Sequence, residues 1–451
     1  MHFEAAIKLH QYIPLSLPQS QPQSQSQSYP QPQPQIKMTN AINSKTTMKG
    51  FLVSKPGDTH GELRSIPMVV PLKNEAKIKV LRAGVCNTDL EILQGYMGFT
   101  GVLGHEFVGV VEEINTDDES IKEKWLNKRV CGDINVGCSS CNVCLNFPYD
   151  RNEKGNCPMM SRNHCPTRSV LGILNRNGTI AEYLTLPVSN LHEVPSHVSD
   201  EVAVFAEPLA AACRIVEQGL VRYLDNNNSN INDDDDGDGS VIPPDKVAIL
   251  GDGKLGLMIA EVLGREHSTR LGCSKYPKPI LFGKHKHKLD LVRESAGVDC
   301  RSVSDCKDEK AFNGVSAEYA GQFDVVVDAT GSPAGLSLAS GLCRPMGTLV
   351  LKSTCAAGEK FNAAPFVIDE LRVVGSRCGP IDKALDLLAI TNDNKIDGSG
   401  NDSSNNKKAN IRPLNVEKYI TRTFPLSEAV AAIKCAAEKS TMKVQIICNE
   451  S

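Results

Sequence analysis

The sequence predicts a two-lobed α/β protein: a β-rich lobe built as a partly open barrel, and a doubly wound parallel sheet with helices on both faces. Three observations predict it. Short strands and turns fill residues 48–206, strands alternate with helix-like segments from 246 to about 376, and a glycine-rich turn joins the first of those later strands to a helix. Alternation of strand and helix is the pattern of a parallel sheet whose crossovers lie on its faces.

The bulk numbers fit such a protein and exclude several others. A chain of 451 residues with 41% hydrophobic and 23% charged residues can bury a large core and has ordinary soluble composition. A formal net charge of −4 and 5% aromatics give no surface for nucleic acid or anionic lipid. No apolar run is long enough to span a bilayer. The 16 cysteines are not preceded by a secretory apolar core, so the expected compartment is the reducing cytoplasm, where clustered thiols read first as metal ligands.

Residues 1–47 form an extension. From Pro18 to Gln35 it is nearly all Gln, Ser and Pro, too polar to offset ordering entropy, and it lacks the Arg-rich amphipathic pattern of a transit peptide. Met48–Val53 starts the folded chain as a strand. Ala76–Leu81 alternates with period two, Phe107–Ile114 is β-rich, and Ile180–Pro187 is a strand stopped by proline. Asp200–Leu220 reads as one helix. A polar run through Asp233–Asp236 lacks the alternating ligands of a calcium loop and reads as a surface insertion, as does 392–408. Strands are expected at Lys246–Leu250, Pro279–Phe282, Phe323–Asp328 and Thr348–Leu351, then a helix at Leu426–Ile433 and a strand at Lys443–Ile447. The resulting division is an extension (1–47), a β-rich lobe (48–206), a parallel-sheet lobe (207–376) and a return to the first lobe (377–451).

Gly251-Asp252-Gly253-Lys254-Leu255-Gly256 lies between a strand and a helix. Gly251 permits the tight turn, Gly253 lets backbone approach a pyrophosphate, and Gly256 lets helix and strand pack closely, while the helix N-terminus offers free N–H groups to phosphate. This pattern predicts a dinucleotide site. An acid at the end of the next strand would hold the ribose 2′-hydroxyl of NAD. Gly283 stands there instead, followed by Lys284 and His285, which suit a 2′-phosphate, so NADP(H) is expected over NAD(H).

Cys138, Cys141 and Cys144 have the C-x-x-C-x-x-C spacing of a closed tetrahedral zinc site that needs a fourth ligand. Cys157 and Cys165 both precede a proline, and local chemistry does not separate them. A second donor set is spread more widely: Cys86, then His105 and Glu106 side by side in an apolar, glycine-punctuated stretch, then Glu207. Taken singly, Cys86 reads as core, His105 as a hydrogen-bonded structural histidine and Glu207 as an acid at a helix start. Taken together they suit a metal, since burying an imidazole and a carboxylate is costly unless something pairs with them.

In their order, Gly84-Val85-Cys86-Asn87-Thr88-Asp89, Gly104-His105-Glu106, the cysteine cluster, Ala181-Glu182-Tyr183, Glu207-Pro208-Leu209 and the glycine fingerprint resemble the zinc-dependent medium-chain dehydrogenase/reductase family. The resemblance runs from about Met48 to the C-terminus. It is strongest to the threonine/polyol dehydrogenase-like branch, because Glu207-Pro208-Leu209 replaces a cysteine-bearing segment of alcohol dehydrogenases. It implies a GroES-like catalytic domain beside a Rossmann domain. It implies one catalytic zinc on Cys86 and His105 with Glu207 as third ligand and Glu106 as an exchanging neighbour, and one structural zinc on Cys138, Cys141, Cys144 and Cys165. Measured back from Ala181-Glu182-Tyr183, the spacing usual in that family suits Cys165, with Cys157 the alternative. Asp89 would orient His105, Thr88 would pass a substrate proton outward, and the cofactor would contact Gly251, Gly253, Lys254, Leu255, Gly256, Gly283, Lys284, His285 and Thr330. The histidine of the alcohol dehydrogenase relay is missing, since Leu90, Glu91 and Ile92 follow Asp89.

The function implied is hydride transfer between NADP(H) and an alcohol, polyol, sugar or matching carbonyl, in a homodimer or homotetramer. A Lewis-acidic zinc lowers the pKa of a hydroxyl bound to it, while the nicotinamide carries the redox chemistry. Two other readings are an inactive NADPH-binding regulatory member of the same fold, which would keep only the structural zinc, and a zinc-free reductase of the superfamily.

Overall fold

The computed structural model describes residues 46–146, 162–223, 243–271, 276–303, 317–353, 362–391 and 412–449. Most of the N-terminal extension, both polar insertions and Cys157 lie outside these ranges.

The first lobe is organised around the strand Glu75–Val85, longer than the alternation at Ala76–Leu81 predicted. It pairs antiparallel with Glu106–Ile114, Tyr183–Pro187 and Lys443–Ile447. These belong to a seven-stranded sheet completed by Arg129–Gly132, Leu191–Glu193 and Ile420–Pro425. Ala76, Ile78, Val80, Ala83 and Val85 are fully buried on it, each larger apolar side chain contributing roughly 1.5–3 kcal/mol relative to exposure. Ile78→Ala would therefore cost about 2–5 kcal/mol. The first strand, Thr47–Val53, joins Glu62–Pro67 and Gly101–Val102 in a separate three-stranded sheet.

The second lobe is a six-stranded, all-parallel sheet. Across it the strands run Asp299–Ser302, Ile280–Gly283, Val247–Leu250, Phe323–Asp328, Cys343–Leu351 and Arg372–Gly375. Numbered along the chain this order is 3-2-1-4-5-6, that of a dinucleotide-binding doubly wound sheet. Val247–Leu250 is buried throughout, as a central strand covered on both faces should be. The helix after the glycine turn, Lys254–Leu271, has 18 residues and packs on Ala206–Glu217.

One expected element is divided. Asp200–Leu220 is two helices, Asp200–Ala203 and Ala206–Glu217. Pro208 explains the break: proline has no N–H to donate and clashes with the preceding turn inside a helix, but fits the first turn, whose N–H groups have no intrahelical acceptor. The restart places Glu207 in that first turn.

Candidate functional site

Strand register brings the metal-ligand candidates together. Gly84 lies opposite Glu106 on one side and Gln445 on the other, and Val85 lies opposite Val444. Cys86, His105 and Lys443 therefore emerge at the same end of one sheet. Donor atoms of Cys86, His105 and Glu106 lie within 4.8 Å of one another. Gly104, at φ +95°, makes the turn before His105, a backbone conformation that L side chains rarely adopt. Gly84 leaves room for the carboxylate, since a Cβ there would stand 2.0 Å from Glu106 Oε2.

Asp89 fixes the segments that carry Cys86 and His105 to each other. It is fully buried and accepts from the Cys86 amide at 2.8 Å and the Gly104 amide at 3.2 Å. Its Oδ1 also stands 3.5 Å from His105 Nδ1. Burial opposes charge on the His105 imidazole, but Asp89 and Cys86 raise it well above its ordinary value. The Cys86 thiol faces Thr88 Oγ1 at 3.9 Å. Glu207 stands outside the 4.8 Å group. Burial pushes its carboxyl up to about 7, with His105 opposing and Glu106 adding to the rise.

Lys443 carries no signal of its own in the sequence beyond being a lysine inside the β-rich run Met442–Ile447. Its Nζ donates to Glu106 Oε2 at 2.5 Å with both side chains 1% exposed. The cluster suits a cation: Glu106 Oε1 is buried without a hydrogen-bond partner, and a thiol, an imidazole and a carboxylate are a zinc donor set.

The second thiol cluster is closed. Cys138, Cys141, Cys144 and Cys165 hold their sulfurs within 4.8 Å of one another. Amides of Cys141, Cys144 and Cys138 donate to the sulfurs of Cys138, Cys141 and Cys165 at 3.3, 3.4 and 3.4 Å. Hydrogen bonds from Ser140 and Cys141 bring the Cys138 thiol down to about 5, whereas burial and the neighbouring sulfurs push the Cys144 thiol up to about 12.

The fingerprint adopts its expected turn. Gly251 has φ +111°, and a Cβ on Gly256 would stand 1.9 Å from Gly251 O. Lys254 Nζ crosses to the other lobe and donates to Val85 O at 3.4 Å, one residue before Cys86. Thr330 caps the neighbouring strand end, donating from N and Oγ1 to Asp328 at 2.9 and 2.7 Å. Asp252, an interior position of the fingerprint to which the motif assigns no role, fills the space beside Gly283. It accepts from the amides of Lys284 and His285 at 2.7 and 2.6 Å and approaches His285 Nδ1 at 3.0 Å. Lys284 and His285 are exposed.

Two family models match in chain order: an alcohol dehydrogenase GroES-like domain over residues 72–196 and a zinc-binding dehydrogenase domain over 270–390. The chain belongs to the zinc-dependent medium-chain dehydrogenase/reductase family. Within it the chain falls in the threonine/polyol branch and is an alcohol/polyol-type dehydrogenase. It is 26% identical over 393 residues to the starvation-sensing protein RspB of Escherichia coli, covering 86% of this chain and 94% of that one. It is 25% identical over 355 residues to a sorbitol dehydrogenase of Halalkalibacterium halodurans, covering 77% and 90%. The fold matches that of a zinc-binding dehydrogenase from Sinorhizobium meliloti bound to NADP, with TM-score 0.65, 24% identity and coverage of 89% and 100%. Among the described residues no helix is long and apolar enough to cross a membrane.

Proposed function

We propose that this dehydrogenase uses one catalytic and one structural zinc ion to exchange hydride between a nicotinamide cofactor and a polyol or related alcohol. The observation that carries this reading is the convergence of Cys86, His105 and Glu106 donor atoms within 4.8 Å, with the glycine loop reaching the same strand end through Lys254. Cys86 and His105 hold the catalytic ion, and either Glu106 or Glu207 completes its protein ligands. Cys138, Cys141, Cys144 and Cys165 hold the structural one. When bound, zinc supplies Lewis acidity towards the substrate oxygen, and the nicotinamide accepts or returns hydride.

The chain's own groups do the rest. Asp89 keeps His105 oriented so that its other ring nitrogen faces the cluster. Thr88, half-buried beside Cys86, carries the substrate proton outward. Gly251, Gly253, Lys254, Leu255, Gly256 and Thr330 seat the cofactor, and the helix start at Lys254 receives its pyrophosphate. The quaternary reading is a homodimer or homotetramer, measurable by sedimentation, and the cellular reading is cytoplasmic.

The cofactor reading is NADP(H), supported by Lys284 and His285 with Gly283 in place of an acid. A second reading, NAD(H), is favoured by Asp252, whose carboxylate takes the two amides a 2′-phosphate would use. Turnover of polyols, sugars, threonine and aldehydes with both cofactors, alongside zinc analysis, tests the whole reading. Two zinc ions per chain are expected, and Cys86→Ser should remove one of them together with activity. A chain that binds NADPH, holds one zinc and turns nothing over is instead the regulatory member.

A further inference from the structure

Lys352 follows the strand Cys343–Leu351 at the carboxyl edge of the parallel sheet, the edge at which such sheets bind their ligands. It is 9% exposed. Its amide donates to Asp328 O at 2.9 Å, so the backbone is held between neighbouring strand ends. Its Nζ donates to Ser376 Oγ at 3.0 Å and Arg377 O at 2.8 Å, both neutral oxygens. An ammonium carries three donors, and among the described residues no carboxylate lies within the 4.0 Å of an ion pair with this one. A buried charge without a counter-ion is costly and is characteristically retained where a ligand completes it.

Among the described residues Lys352 and Lys254 are both without an ion pair, but Lys254 lies in the glycine turn and donates to Val85 O at 3.4 Å. Lys443 is paired with Glu106, and Asp89 is taken up by two amides and His105. Glu207 and Cys378 act on Lys352 at longer range than an ion pair, and burial brings its ammonium down to about 8. The segment after Arg377 packs on the helix Ala206–Glu217, a Cβ on Gly379 standing 1.8 Å from Ala210 O, and Glu207 in the first turn of that helix has a carboxyl that responds to His105 and Glu106. The cofactor pyrophosphate is a poor counter-ion. The glycine turn follows the strand Val247–Leu250, two positions along the sheet, or roughly 10 Å at ordinary strand spacing.

We infer that Lys352 is a specificity-determining residue that receives an anionic group, a carboxylate or a phosphate, on the substrate whose hydroxyl is oxidised at the Cys86–His105–Glu106 cluster. This inference rests on the reading of that cluster as an alcohol-oxidising site. The substrate class it names is a hydroxylated acid or a polyol phosphate in preference to a neutral polyol.

The test uses the full chain loaded with zinc and reduced cofactor, titrated calorimetrically with an alditol, the aldonate of the same carbon skeleton and the alditol phosphate. Wild type should prefer one of the two anions over the alditol, and the one preferred distinguishes carboxylate from phosphate. Lys352→Gln keeps a donor towards Ser376 and Arg377 while removing the charge, and should cut that preference about tenfold. Lys352→Arg should retain most of it. In turnover the loss should fall on KM for the anion rather than on kcat. No anion preference in wild type, or an equal loss for anion and alditol in Lys352→Gln, overturns the inference. So does a matching loss of cofactor affinity, which would make Lys352 a structural strut. If wild type turns over none of these compounds yet its anion binding depends on Lys352, the oxidoreductase reading fails while the Lys352 site stands.

Discussion

Glu106 and Lys443, 337 residues apart in sequence, form a fully enclosed ion pair behind the candidate metal cluster, Nζ to Oε2 at 2.5 Å. Burial opposes charge on the lysine, and Glu106 more than restores it, so its ammonium is held above the ordinary lysine value. The pair leaves Glu106 Oε1 without a partner and pins the C-terminal strand Lys443–Ile447 to the segment that carries His105.

The first prediction concerns that pair. Lys443→Met strands a buried carboxylate and should destabilise the metal-free protein by about 3–5 kcal/mol, whereas Glu106→Gln with Lys443→Met should recover most of the loss. Urea unfolding of the two single variants and the double variant measures the coupling. Additive losses would show that the two groups do not depend on each other.

The second prediction concerns the four-thiol cluster. Cys165→Ser should lower zinc from two ions per chain to one and reduce the melting temperature, while Cys157→Ser should leave two. Thiols at this spacing with amide-to-sulfur hydrogen bonds form closed structural sites, and such sites contribute to folding directly. Plasma emission analysis of purified variants reads the outcome. The reverse pattern would make Cys157 the fourth ligand.

What could be read from the sequence was local. The glycine fingerprint, the cysteine spacing and Gly104-His105-Glu106 each lie within a few residues, and strands with sustained apolar content, such as Phe323–Asp328, stand within a residue or two of their expected bounds. What could not be read depends on register or on contacts across the chain. Asp299–Ser302 and Arg372–Gly375 escape recognition as strands because they sit at the two edges of the parallel sheet, where charged and exposed residues are tolerated and no alternation shows. Lys443 reaches the cluster only through its pairing with Glu106. The sequence puts no acid at the end of Ile280–Gly283. The fold brings one there from Asp252, 32 and 33 residues before its partners Lys284 and His285.

The third prediction follows from Asp252. Its carboxylate occupies the Lys284 and His285 amides, so Asp252→Asn should remove negative charge from the place a 2′-phosphate would take. The ratio of NADP(H) to NAD(H) affinity should rise about tenfold, the worth of one additional charge-assisted hydrogen bond. Lys284→Ala should move the ratio the other way. Cofactor fluorescence titrations of both variants measure it, and a ratio unmoved by Lys284→Ala would remove the basis for preferring NADP(H).

The fourth prediction is a pH dependence with a fixed sign. Burial raises the Glu207 carboxyl from an ordinary 4.5 to about 7 in the folded, metal-free chain. Between those values the folded state keeps a proton that the unfolded chain has released, so this residue's contribution to stability declines as pH rises through that window and levels off above it. The whole change amounts to about 3 kcal/mol. Glu207→Gln cannot ionise. The difference in urea-derived stability between variant and wild type should therefore grow in the variant's favour by about that amount across the same window. Zinc should reverse the ordering above the window if Glu207 reaches the ion, because binding then favours the ionised carboxylate. A difference that stays flat with pH in the metal-free protein would show that Glu207 is not held neutral by its surroundings. A reversal absent with zinc bound would leave Glu106 as the carboxylate that completes the site.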